Sequence, residues 1–112
     1  MSYCIRSKVW IVHNDKMLIG DGRAKLLDAI HRTGSLSKAA SELKISYKKA
    51  WKLIKSINEN GQELAVVGNA GGSGGGGTQL TPYGLHLLGA FNSINESCWK
   101  HLNDKFCEFH NP

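Results

Sequence analysis

A chain of 112 residues, 41% apolar and 21% charged, has the composition of one ordinary globular domain with room for a single core. No apolar run nears the roughly 18 residues of a membrane span, and Met1–Leu18 lacks the apolar block and small-residue site of a signal peptide, so no membrane partner and a cytoplasmic location are expected. The net charge of +5 is unevenly spread: residues 35–60 carry six lysines against two glutamates, an excess of four, and the rest of the chain an excess of only one.

Residues 3–19 read as a β-hairpin. Trp10 and Val12 alternate with Val9 and Ile11, Asn14-Asp15 supplies turn formers, and Met17-Leu18-Ile19 resumes the strand. Gly20-Asp21-Gly22 ends it, and a three-helix core is expected over residues 22–60. Its first helix spans about Arg23 to Arg32, with Leu26, Leu27 and Ile30 inward and Gly34 as C-terminal cap. Arg23 has two readings, a phosphate contact or an ion pair with Asp21 or Asp28.

Ser35 is a good N-cap for a second helix with the stripe Leu36, Ala39, Ala40 and Leu43, whose small alanines allow close helix approach. After a tight joint at Lys44-Ile45-Ser46, Ser46 caps a third helix. The inward stripe there is Tyr47, Ala50, Trp51, Ile54 and Ile57, with Lys48, Lys49, Lys52 and Lys55 facing outward. Two such helices joined by a short turn form a helix-turn-helix. Lysines in a first turn oppose the helix dipole by roughly 0.3–1 kcal/mol, and neither serine cap is completed by a glutamate. Phosphate at that end would resolve the conflict; on charge alone, a solvated helix face is an equal reading.

Residues 64–80 read as a β-wing. Leu64-Ala65-Val66-Val67 and Thr78-Gln79-Leu80 flank the run from Gly71 to Gly77, which is short for a flexible linker. A phosphate-cradling P-loop is excluded, because Thr78-Gln79 stands where Lys-Ser/Thr is required. Thr81-Pro82 then opens a helix over 82–109, roughly 40 Å long. Its apolar stripe of Leu88, Phe91, Ile94, Cys98, Leu102 and Phe106 is longer than so small a core can cover, which predicts a homodimer through this helix. Cys4, Cys98 and Cys107 are odd in number and fit reduced thiols. Cys98, His101, Cys107 and His110 hold metal-ligand types, but positions nine apart on a helix lie about 13–14 Å from each other, so only a partner subunit's helix could complete a site, and no metal is expected.

Taken together, GDGRAKLLDAI, GSLSKAA, ISYKKAWKLI, GGSGGGGTQLT and PYG, in that order, resemble the N-terminal winged helix-turn-helix domain of ModE-type molybdate-responsive transcriptional regulators, a domain related to the DNA-binding module of LysR-type regulators. The resemblance runs from about Lys8 to Phe91. It implies an α+β, mainly α fold: an N-terminal β-hairpin, a helix-turn-helix, a glycine-rich wing and a long C-terminal dimerisation helix. The helix from Ser46 to Lys55 would be the recognition helix, and the glycine-rich turn would meet phosphates or the minor groove. Two departures stand out. Members of the family often have lysine where Ser73 stands, and they carry C-terminal molybdate-binding domains, whereas this chain ends at Pro112. Molybdate binding is therefore not carried over.

The expected partner is double-stranded DNA. Lys48, Lys49 and Lys52 lead the candidate contacts, joined by Ser35, Lys38, Ser46, Tyr47 and Lys55 and, at the wing tip, by Gly72, Ser73 and Gly74. Tyr47 is read as a phosphate donor or an inward anchor, and Trp51 as core. The resulting expectation is a dimeric, sequence-specific transcriptional regulator. The alternative is a winged-helix module that binds protein instead of DNA. No Ser/His/Asp or Cys/His arrangement, carboxylate pair or cofactor loop stands out, so neither enzymatic activity nor a cofactor is expected.

Overall fold

The computed structural model describes residues 3–68 and 77–110. It is mainly helical, with two small antiparallel hairpins. The first pairs β1 (Ile11–His13) with β2 (Lys16–Ile19). Asn14 and Asp15 both have positive φ, 52° and 64°, the two-residue turn whose twist suits a tight hairpin. Leu18 and Ile19 enter the core, while Trp10, Val12 and Met17 stay exposed.

Residues 3–10 are not a strand, contrary to the expected start of the hairpin at residue 3. They run back along the end of the last helix, α4 (Pro82–His110). Asn103 replaces a strand partner: its Oδ1 accepts the Ile5 N–H at 2.8 Å and its Nδ2 donates to the Ile5 carbonyl at 3.1 Å. The Tyr3 ring packs edge-on against Phe106 and His110. This segment supports a helix end that projects from a molecule 60 Å in its longest dimension.

Helix α1 (Asp21–Thr33) begins two residues earlier than expected and ends on Gly34 at φ 68°, the left-handed cap that a side chain resists. Arg23 does not pair with Asp21 or Asp28: its guanidinium donates to the Met17 carbonyl at 3.1 Å and so ties α1 to the first hairpin. Asp21 pairs instead with Lys25, and Asp28 with Arg32. Helix α2 (Leu36–Glu42) and helix α3 (Tyr47–Asn60) follow, joined by a four-residue turn in which Lys44 has φ 59°. Ala39 and Ala40 of α2 and Ala50 of α3 are buried, small residues that permit a close helix approach.

The second hairpin pairs β3 (Val66–Gly68) with β4 (Thr78–Leu80), inside the expected 64–80 region. The Thr78 N–H donates to the Gly34 carbonyl at 3.0 Å and fixes β4 to the end of α1. Thr81 caps α4, with its hydroxyl accepting from Gly84 N–H at 3.0 Å and donating to the Leu64 carbonyl at 2.6 Å. The core gathers Leu26, Leu27 and Ile30 of α1, Ile57 of α3 and Phe91 of α4. Leu88 and Phe91, expected at a dimer interface, are therefore committed to this chain's own core, because α1 packs over that part of α4. The architecture is compatible with an α+β winged helix.

Candidate nucleic-acid interface

Helix α3 is clamped on one side by the first hairpin and on another by the second. At its C-terminal end, His13 Nδ1 lies 2.7 Å from the Asn60 carbonyl, and Asn60 Nδ2 donates to the Met17 carbonyl at 2.8 Å. Toward β3, the Asn58 side chain bonds to Ala65 and Val66. Ala50, Ile54 and Ile57 anchor the helix in the core. The remaining arc is free and carries Lys48, Lys52 and Lys55, with Lys49 on its edge; all four are exposed.

The N-terminal ends of α2 and α3 are built alike. Ser35 Oγ accepts the Lys38 N–H at 3.1 Å, and Ser46 Oγ accepts the Lys49 N–H at 3.0 Å. Both serines are thus caps, as their sequence positions imply. Neither helix has an acidic residue in its first turn. Among the described residues, no carboxylate lies within ion-pair distance of Lys38, Lys48, Lys49, Lys52 or Lys55. An unneutralised row of ammonium groups beside two helix N-termini is a surface for anions.

Two aromatic side chains interrupt that surface. Tyr47 is 45% exposed and Trp51 42% exposed, so Trp51 is not the core residue expected from its place on the helix. Ala50 is the fully buried residue of this turn, and Trp51, one position on, lies about 100° further round the helix. Trp51 turns toward the second hairpin instead, with Lys55 Nζ 5.4 Å from its ring centroid. Sequence reasoning also missed the groove this creates. It has a volume of about 480 Å³ and runs between α3 and β3–β4, floored by Tyr47, Trp51, Leu64 and Val67. A signal was available: Tyr47, Trp51 and Asn58 fall on one helical line, and the polar Asn58 marks that line as a flank.

Gly72, Ser73 and Gly74 lie outside the described residues. Along α4, Ile94 and Phe109 are exposed, and Cys98, Leu102 and Phe106 are half-buried. Phe106 stacks on His110 with ring centroids 4.9 Å apart. Cys98, His101, Cys107 and His110 do not converge: no group of three or more candidate ligands is close enough for a metal ion among the described residues. Nor, among those residues, is any helix long and apolar enough to cross a membrane.

No family model matches the chain. Curated relatives do. The chain is 43% identical over 76 residues to the molybdenum transport protein ModE of Azotobacter vinelandii, a stretch covering 68% of this chain and 28% of that protein. It is 41% identical over 85 residues to the molybdenum-pterin-binding protein MopB of Rhodobacter capsulatus, covering 76% and 32%. It is 38% identical over 79 residues to the DNA-binding transcriptional dual regulator ModE of Escherichia coli, covering 70% and 30%. The matched stretch thus spans about a third of the length of these relatives.

Proposed function

We propose, from a chain that matches the N-terminal domain of ModE-type regulators, that it binds double-stranded DNA sequence-specifically as a dimeric transcriptional regulator. The observation carrying this reading is the row of lysines on α3 that, among the described residues, have no carboxylate partner, together with two serine-capped helix starts. The name of the Escherichia coli relative, a DNA-binding transcriptional dual regulator, supports it.

In this reading the molecule is a winged helix-turn-helix. Helix α3 is the recognition helix, entering the major groove with Lys48 and Lys52 foremost; Lys49 and Lys55 meet the flanking phosphates. Lys38 and the N-terminal end of α2, at Ser35, approach the backbone from the neighbouring turn. Ser46 keeps the start of α3 ordered, and Tyr47 offers its hydroxyl to a phosphate. The second hairpin is the wing, with Gly72, Ser73 and Gly74 at its tip. Phosphate contacts set the register, and side chains reaching base edges supply the sequence preference. The far half of α4 joins two copies, so that two recognition helices sit about 34 Å apart on a pseudo-palindromic site.

The test is a binding-site selection with the 112-residue chain, followed by affinity measurements between 50 and 200 mM salt. Affinity is expected to fall steeply, with a log–log slope of about −0.9 for each phosphate neutralised. Replacing Lys49 and Lys55 with alanine should flatten that slope by about two contacts and leave the helical content unchanged. A flat salt response, or no enriched sequence, would transfer the surface to a protein partner.

A further inference from the structure

We propose that Tyr47 and Trp51 make this chain a reader of thymine, with the 5-methyl group of a thymine in the major groove packing on the Trp51 ring; this rests on the DNA-binding reading above. The two aromatics stand one turn apart on the flank of α3 that faces β3 and β4. Both stay more than two-fifths exposed, and Leu64 and Val67 beside them are exposed as well. Together these four side chains form an exposed apolar floor.

The charge around that floor selects its occupant. Lys55 lines the groove with its Nζ over the indole, Lys48 and Lys52 are exposed on the adjoining arc of α3, and Glu59 is the acidic residue of the lining, so the balance of charge beside Trp51 is positive and favours an occupant with negative charge outside and an apolar group inside. A nucleic-acid strand does both, with an anion at every nucleotide. Among base edges in the major groove, thymine alone presents a methyl group, and apolar side chains are its usual readers. Lysines at G O6/N7 would then specify guanines, and the aromatic flank would specify thymines beside them. Packing on deoxyribose instead would give affinity without sequence preference, which separates the two roles experimentally.

The experiment compares the selected duplex with one in which thymines are replaced singly by deoxyuridine, a change that removes only the methyl group. The unaltered protein is expected to lose about fourfold in affinity for each methyl it contacts. Trp51→Ala should bind the thymine duplex more weakly and lose most of the thymine–deoxyuridine difference, whereas Tyr47→Phe should keep it. Equal affinity of the unaltered protein for both duplexes overturns the inference, a comparison that needs no variant to fold. So does a selected site without thymine, or a difference that survives in Trp51→Ala. Failure to bind any duplex is a different result, which overturns the DNA-binding reading itself.

Discussion

The carboxamide of Asn58 brackets the backbone of Val66: its Oδ1 accepts the Val66 N–H at 3.1 Å while its Nδ2 donates to the Val66 carbonyl at 3.0 Å. The same oxygen accepts the Ala65 N–H at 2.8 Å. One side chain on α3 thereby sets the position of β3, and with it the width of the groove between them. Asn58→Leu would leave these backbone groups without their partner in a half-buried place, at a cost of roughly 1–3 kcal/mol. For a domain of this size the melting temperature should fall by about 4–8 °C per kcal/mol. Asn58→Asp, which keeps the acceptor and loses the donor, should fall between. An unchanged melting temperature for Asn58→Leu would show that the bracket is dispensable.

Two glycines of α4 should respond in opposite directions to the same substitution. A Cβ on Gly84 would lie 2.1 Å from the Ala65 carbonyl oxygen, a backbone atom that cannot swing aside. Gly84→Ala should therefore push α4 off the second hairpin and destabilise by roughly 1–3 kcal/mol. Gly89 is exposed and has nothing within 4 Å of the added atom. Gly89→Ala should stabilise by roughly 0.5–1 kcal/mol through helix propensity alone. Thermal melts of the two variants check this, and equal shifts would mean that the close approach at Gly84 is relieved at no cost.

Local signals were legible in the sequence, and long-range ones were not. Thr81-Pro82 marks the start of α4, and the expected end at residue 109 falls one short of His110. Ser35 and Ser46 cap as expected because a cap depends on the next three residues only. Trp51 was misplaced because it sits at the edge of the apolar stripe, where periodicity does not tell a buried position from a flank: Ala50 is buried and Trp51 is 42% exposed. Residues 3–10 have strand composition, yet their partner is Asn103, which lies 98 positions from Ile5. A single asparagine carries no sign of such a pairing. Leu88 and Phe91 fell to the wrong interface for a related reason, since one continuous stripe on α4 serves α1 first and solvent afterwards. The lysines of α3 stand exposed as expected, because charged side chains opposite an apolar helix stripe face solvent.

Arg32 joins α1 to α2, donating from Nε to Asp28 at 2.9 Å and from Nη1 to Glu42 at 3.1 Å, with Nη2 on the second Glu42 oxygen. The hydrogen bonds from Arg32 hold the Glu42 carboxyl below its ordinary range, and Glu42, then Asp28, raise the already basic guanidinium further. A carboxyl depressed in the folded state contributes stability that is complete above the unfolded value of about 4.3 and is lost as pH falls through the folded value. The stability difference between the unaltered protein and Glu42→Gln should therefore be present at neutral pH and close toward pH 3. These side chains are exposed, so the difference should be small and should shrink with salt. Denaturant titrations at several pH values measure it, and a gap that widens on acidification would reverse the assignment.

The open face of α4 begins where its own core contacts stop. Leu88 and Phe91 are buried, whereas Ile94 is 48% exposed and Phe109 87% exposed, with Cys98, Leu102 and Phe106 between them half-covered. The segment from Tyr3 to Val9 supports only one flank of this projecting half. If a second copy covers the other flank, Ile94→Glu should convert a dimer into a monomer with unchanged circular dichroism, because the position contributes little to the fold of one chain. Leu88→Ala should do something else: lower the melting temperature through a core cavity costing roughly 2–5 kcal/mol, with no selective effect on assembly. Light scattering after size exclusion distinguishes the two behaviours. A monomeric mass for the unaltered protein at tens of micromolar would remove the dimer from the proposed mechanism, and with it the paired spacing of recognition helices. An Ile94→Glu monomer that still bound a full pseudo-palindromic site as tightly as the parent would do the same.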